Sequence, residues 1–138
     1  FTGVGIATQH PYQYAYYQPL VQLRGMDYNE LDYWNVSARD ALVRLAEAYD
    51  GALTVEPADL WSEYALQRAL DVLPDELAGR FVCLPEGSGA RFVLSNPTYA
   101  CFSGFSPGAD MAECVTLSAY GHPIMILYER TAKEADRP

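Results

Sequence analysis

Phe81-Val82-Cys83-Leu84-Pro85-Glu86-Gly87-Ser88-Gly89-Ala90-Arg91-Phe92-Val93-Leu94 is where the chain changes its hydrophobic period. Before it, apolar residues recur at helical spacing. From it onward they come in short runs bounded by glycine and proline, the signature of strands. Residues 81–84 and 90–94 read as two strands around a turn carrying Gly87 and Gly89. Asn96-Pro97 breaks the second strand, residues 98–103 read as a third, and the glycine- and proline-bearing stretch 104–110 reads as a loop. Residues 113–120 and 123–128 read as a final hairpin joined at Gly121-His122. Strands that follow one another without intervening helices pair mostly antiparallel.

Upstream of the switch, the residues predict two helices. Ser37 followed by Asp40 matches a capping box, and Leu42, Leu45, Ala46 and Tyr49 then repeat at i, i+3, i+4, i+7. Gly51 follows at a position suited to a helix stop. A second helix is expected near Pro57, because proline fits a first turn where its missing N–H costs nothing. Asp59 and Glu63 fall early in it, where the helix dipole favours negative charge. Leu66, Ala69, Leu70 and Leu73 form its apolar stripe, and Pro74 ends it. The expectation is an α+β fold: two amphipathic helices packed on a mostly antiparallel sheet of about four to five strands, with an extended N-terminal arm. The chain divides into an arm over 1–26, a single α+β domain over 27–128 and a polar tail over 129–138. A length of 138 residues, half of them hydrophobic, suits one globular core.

The charge is unevenly spread. Nine basic and eighteen acidic residues leave a formal net charge of −9, and residues 27–76 alone hold twelve acids against Arg39, Arg44 and Arg68. This balance argues against direct nucleic-acid binding and against docking on anionic lipid, both of which need clustered Lys and Arg. No apolar run approaches the length of a membrane span. An acidic middle third either faces a basic partner or forms a solvated outer surface; the second is commoner.

Few residues suggest chemistry. Cys83, Cys101 and Cys114 are odd in number and lack CxxC spacing, so they read as buried packing residues, with a Cys101–Cys114 bridge as the rival. Cys101 or Cys114 with His122 is a thin case for a Cys–His pair. No pair of His10, His122 and the cysteines shows zinc-ligand spacing. Gly3-Val4-Gly5 and Gly87-Ser88-Gly89 lack the context of a phosphate loop. Asp75-Glu76 reads as a turn, and Trp34 and Trp61 as core or rim aromatics. Asn35-Val36-Ser37 fits the glycosylation triplet, which is common by chance. No catalytic residue, cofactor or metal is expected.

The arm is the strongest hint. His10-Pro11-Tyr12-Gln13-Tyr14-Ala15-Tyr16-Tyr17-Gln18-Pro19 is nearly uncharged and ring-rich, and tyrosine gives a large rigid contact area with a polar tip. Tyr12, Tyr14, Tyr16 and Tyr17 are therefore the candidate partner-binding residues; the competing reading has the arm covering its own domain. Phe1 in place of Met is what a removed targeting segment leaves, or an upstream start outside the sequence. The resulting expectation is a non-catalytic accessory subunit of a larger complex. It would be organellar (mitochondrial), peripheral to a membrane assembly, and would bind protein partners through the arm. The alternatives are an acidic inhibitor or immunity-type protein with a basic partner and, less favoured, a small cysteine enzyme.

Overall fold

The computed structural model describes residues 35–119 and 121–131, without the side chains of Tyr99, Cys101 and Phe102. The arm with Tyr12, Tyr14, Tyr16 and Tyr17, the stretch through Trp34, and the tail beyond residue 131 lie outside the described residues.

The protein has an α+β fold. Helices α1 (Ser37–Ala48) and α2 (Leu60–Asp71) cover one face of a five-stranded sheet ordered β2-β1-β3-β5-β4. The strands are β1 (Leu53–Pro57), β2 (Phe81–Cys83), β3 (Phe92–Ser95), β4 (Met111–Ala119) and β5 (His122–Arg130). A short turn of helix, α3 (Asp75–Ala78), precedes β2, and α4 (Pro97–Ser103) follows β3.

The sheet is mixed. β3, β5 and β4 pair antiparallel, as the terminal hairpin predicts, but β1 pairs parallel with both β2 and β3. The expected hairpin of 81–84 with 90–94 does not form, because β1 lies between the two strands. β2 runs beside the first half of β1 (Leu53↔Phe81, Val55↔Cys83) and β3 beside the second half (Val55↔Phe92, Pro57↔Leu94). This stagger lets residues 84–91 pass over β1 from one side to the other without the long return that parallel neighbours usually need. Pro57 starts no helix. It ends β1 beyond the last residue of β2, and its missing N–H points to the side where no strand pairs.

Three further boundaries differ from expectation. α1 begins one residue before the predicted box: Val36 is the N-cap, its own side chain makes no capping bond, and Ser37 is already helical. Asn35, at φ 53°, makes the turn into the helix, a left-handed conformation that Asn tolerates better than most residues. Residues 98–103 are helix, not strand. The Asn96 side chain caps the Thr98 N–H at 3.0 Å, Pro97 opens the first turn, and Gly104 at φ 73° stops the helix by donating to Ala100 O. Glu129 and Arg130 belong to β5 and not to a tail.

The main core joins Leu42, Leu45, Leu53, Val55, Phe92, Leu94, Met125 and Leu127 under the helices. A smaller cluster on the opposite face packs Ala58, Val93, Ile126 and Tyr128 against Phe105 and Met111. β5 is covered on both sides, which explains the unbroken apolar run Ile124-Met125-Ile126-Leu127-Tyr128. Edge strand β4 alternates, with Val115, Leu117 and Ala119 inward and Thr116 and Ser118 exposed.

Candidate protein-binding face

α2 has two apolar faces. Ala65, Leu66 and Ala69 are buried against the sheet and α1. On the outer side Leu60 is 72% exposed, Trp61 49%, Tyr64 53% and Val72 63%. Trp61, Tyr64, Arg68 and Val72 follow one another at i, i+3, i+7 and i+11, so they form one continuous line along the helix. The Arg68 guanidinium sits 5.5 Å over the Tyr64 ring and donates from Nη1 to the Tyr64 hydroxyl at 3.0 Å. Where this line meets the first turn of α1, Asn35, Val36, Arg39, Arg68, Ala69 and Val72 enclose a shallow groove of about 230 Å³. Trp61, which the sequence suggests as core or rim, belongs to this exposed face. Its signal in the sequence is a second apolar spacing on a helix that already carries a buried stripe.

A buried polar chain holds the N-terminus of α2 in place. Asp59 is 4% exposed; its Oδ1 accepts from the Ser62 N–H at 2.7 Å and its Oδ2 from the Ser103 hydroxyl at 2.8 Å. Ser62 Oγ accepts from the Asn96 N–H, and Asn96 Nδ2 donates to Asn35 Oδ1 at 2.8 Å. These bonds tie the end of β3 and the entry to α1 to the first turn of α2. They also take Asn35 out of solvent, so the Asn35-Val36-Ser37 triplet is not displayed for a glycan.

The acidic residues sort into two kinds. Glu56 and Asp59 are buried and engaged within the fold, so neither belongs to a contact surface. Glu63, Asp71, Asp75 and Glu76 are exposed on α2 and α3.

The cysteines carry no activated thiol among the described side chains. Cys114 is a free thiol, half-buried on β4, that donates to Leu127 O at 3.3 Å. Burial and the neighbouring Glu129 carboxylate push it up to about 11. A nucleophilic cysteine needs the opposite shift. The β4–β5 register sets Val115 against Leu127 and Ala119 against His122, which places Cys114 in mid-strand, several residues along the hairpin from His122 at the turn. Cys83 is exposed on edge strand β2, contrary to the buried reading. No helix among the described residues is long and apolar enough to cross a membrane.

Compared with family models, curated proteins and solved structures, the chain matches none of them.

Proposed function

We propose that this chain is a non-catalytic accessory subunit that binds neighbouring proteins in a larger assembly, with the outer face of α2 as its described contact surface. One observation carries the reading: Leu60, Trp61, Tyr64 and Val72 are exposed on a helix whose opposite face already fills the core. A surface helix normally turns polar residues outward. Trp, Tyr and Arg are the residue types that dominate the energy of protein interfaces, and here Trp61, Tyr64 and Arg68 lie in one line. Exposed Glu63, Asp71, Asp75 and Glu76 supply a charged rim, which selects a partner with basic residues around an apolar centre. The Tyr-rich arm, with Tyr12, Tyr14, Tyr16 and Tyr17, belongs to the same proposal on its composition. The inhibitor reading shares this rim but has no distinct support, because Asp59 and Glu56 are buried.

The test is the native mass of the untagged protein from its source, followed by hydrogen-exchange mapping of the complex. Slowed exchange is expected along α2, together with loss of the complex in the Leu60→Ser/Tyr64→Ala variant at unchanged melting temperature. A single-chain mass, or a footprint that avoids both α2 and the arm, overturns the reading.

A further inference from the structure

The two edges of the sheet, β2 and β4, are built differently. β2 is three residues long and follows closely on the exposed carboxylates of α3, Asp75 and Glu76. β4 is nine residues long. Among the described strands it pairs with β5 alone, so alternate N–H and C=O groups on its other side point outward, a template for a further strand. Proteins usually guard such an edge with lysine, proline or a bulge. β4 has its bulge at Cys114, between Glu113 and Val115; the next register step takes its extra residue, Ile124, from β5. The stretch Val115-Thr116-Leu117-Ser118-Ala119 is therefore regular, and it holds neither charge nor proline. Val115, Leu117 and Ala119 are buried in the core on the side of α1, while Thr116 and Ser118 are exposed.

We propose that this edge pairs antiparallel with the same edge of a second copy of the chain, about a two-fold axis at Leu117, joining two five-stranded sheets into one. The stretch complements itself in that register. Thr116 falls opposite Ser118 of the second copy, twice over by symmetry, so hydroxyls meet on the open face. Val115 falls opposite Ala119, so apolar side chains meet on the helix-covered face. Charge selects this edge for a second copy. Two chains of net charge −9 repel, and they associate where no carboxylates confront each other. Glu113 is the one charged residue of β4, and it lies outside the paired stretch, its carboxylate accepting from the Thr116 hydroxyl at 2.9 Å. In the paired ribbon the two Glu113 residues stand roughly 27 Å apart, well beyond the reach of screened charges. Pairing consumes both β4 edges, so assembly closes at two. α1 packs on β4 and β5, whereas α2 packs on β1 and β3, so the outer face of α2 stays free and the dimer presents it twice. The inference does not rest on the proposed function, because it concerns the isolated chain. A strand ribbon buries less than the roughly 1,200 Å² at the low end of stable interfaces, so the dimer is expected to dissociate on dilution through the micromolar range.

Sedimentation of the full-length chain from about 1 to 500 µM, with hydrogen exchange at both ends of that range, tests it. A monomer–dimer equilibrium with no larger species is expected. Outward amides of 115–119 are expected to exchange about tenfold more slowly at the high concentration, while α2 amides exchange alike at both. Thr116→Lys with Ser118→Lys sets lysine against lysine at both paired positions and is expected to weaken the dimer about tenfold or more. Thr116→Lys with Ser118→Glu leaves both positions charged but opposes unlike signs, and is expected to restore the dimer. Melting temperatures close to that of the parent in dilute solution separate these effects from misfolding; if a variant does misfold, the concentration-dependent protection of 115–119 in the parent decides. A single-chain mass throughout overturns the proposal, as do species larger than two or a dimer indifferent to the paired lysines. Protection of 115–119 that appears only when a different protein is bound overturns it in favour of a foreign strand. A larger assembly that leaves α2 unprotected, with the dimer intact, counts against the proposed function and leaves the β4 pairing standing.

Discussion

Glu56 is buried to 2% exposure, and every bond it makes serves the fold. Its Oε2 accepts from the Gly89 and Ala90 N–H groups at 2.8 and 2.9 Å, and its Oε1 takes Arg130 Nη2. Thr54, on the same strand, accepts from the Arg91 N–H at 3.0 Å. The carboxylate thus pins residues 84–91 where they cross β1, and ties that crossing to the end of β5. Removing it leaves two amides and Arg130 Nη2 without their acceptor, while Arg130 keeps Ala90 O and Asp110. Glu56→Ala is expected to cost about 3 kcal/mol, and Glu56→Gln about half as much because an amide oxygen still accepts from the backbone. The shift in urea midpoint measures both, and equal losses in the two variants count against the account. Cys114 is a second single-residue case. With its thiol pushed up to about 11, its alkylation rate in the native protein is expected to keep climbing about tenfold per pH unit past pH 9, where an ordinary thiol levels off. Peptide mass spectrometry of the Cys114 fragment reads this directly.

Helix ends in this protein are finished by residues far away in sequence. The last turn of α1 has no basic residue of its own, yet Arg80 donates to Ala46 O at 2.8 Å, to Gly51 O at 3.1 Å and to Tyr49 O. One guanidinium therefore meets the orphan carbonyls and the negative end of the dipole together. At the other helix, Asp59 caps the first turn locally and also receives Ser103 from α4. Asp59→Ala is expected to lower stability by about 1–2 kcal/mol, and Asp59→Asn by less, since Asn still caps. A second consequence separates the cap from a generic loss: α2 amides near Ser62 should exchange faster in Asp59→Ala, while β4 and β5 amides are unchanged at low denaturant. Uniform acceleration across the chain is the outcome that contradicts it. Element boundaries depart from the sequence reading at such places. Asn96-Pro97 is a helix start as readily as a strand break, and Pro57 closes a strand as readily as it opens a helix. The alternation of Leu53 and Val55 with Thr54 and Glu56 is the local signal for that strand.

Across the whole molecule, titration sets limits on the stable range. Arg91 and the Tyr49 hydroxyl both bond Glu129, at 2.6–2.9 Å and 2.7 Å. The Tyr49 bond first, then Arg91, holds the Glu129 carboxyl below its ordinary 4.5. The same bond, with burial, raises Tyr49 from 10.0 to about 12. A lowered carboxyl stabilises the fold above its unfolded value and loses that contribution as pH falls through the folded one. A raised phenol or thiol stabilises below its unfolded value and loses the contribution as pH rises. Stability is therefore expected to be flat between about pH 5 and 9 with respect to these groups. It should then decline above 9, where the unfolded chain gives up the Cys114 and Tyr49 protons that the fold still holds. Tyr49→Phe should flatten part of the alkaline limb, leaving the share of Cys114, and Glu129→Gln part of the acid limb, measured as urea midpoint against pH. Limbs unchanged in both variants contradict the assignment.

Helix and strand periods, the α1 and α2 stripes and the β4–β5 hairpin are all legible in the amino-acid order alone, because each rests on neighbours close in sequence. The α+β class follows from the same local patterns. Strand order is not legible there: β2 and β3 flank β1 through a half-strand stagger, and no local signal records which strand lies between two others. The fate of the carboxylates is equally hidden. Glu56, Asp59 and Glu63 look alike as letters, and only the packing of β5, α4 and the crossing loop makes the first two internal ligands and leaves the third at the surface. The outer line of α2 stands in plain view as Trp61, Tyr64 and Val72. It acquires meaning once the sheet has claimed the other side of the helix, since exposure is a property of what surrounds a residue and not of the residue itself.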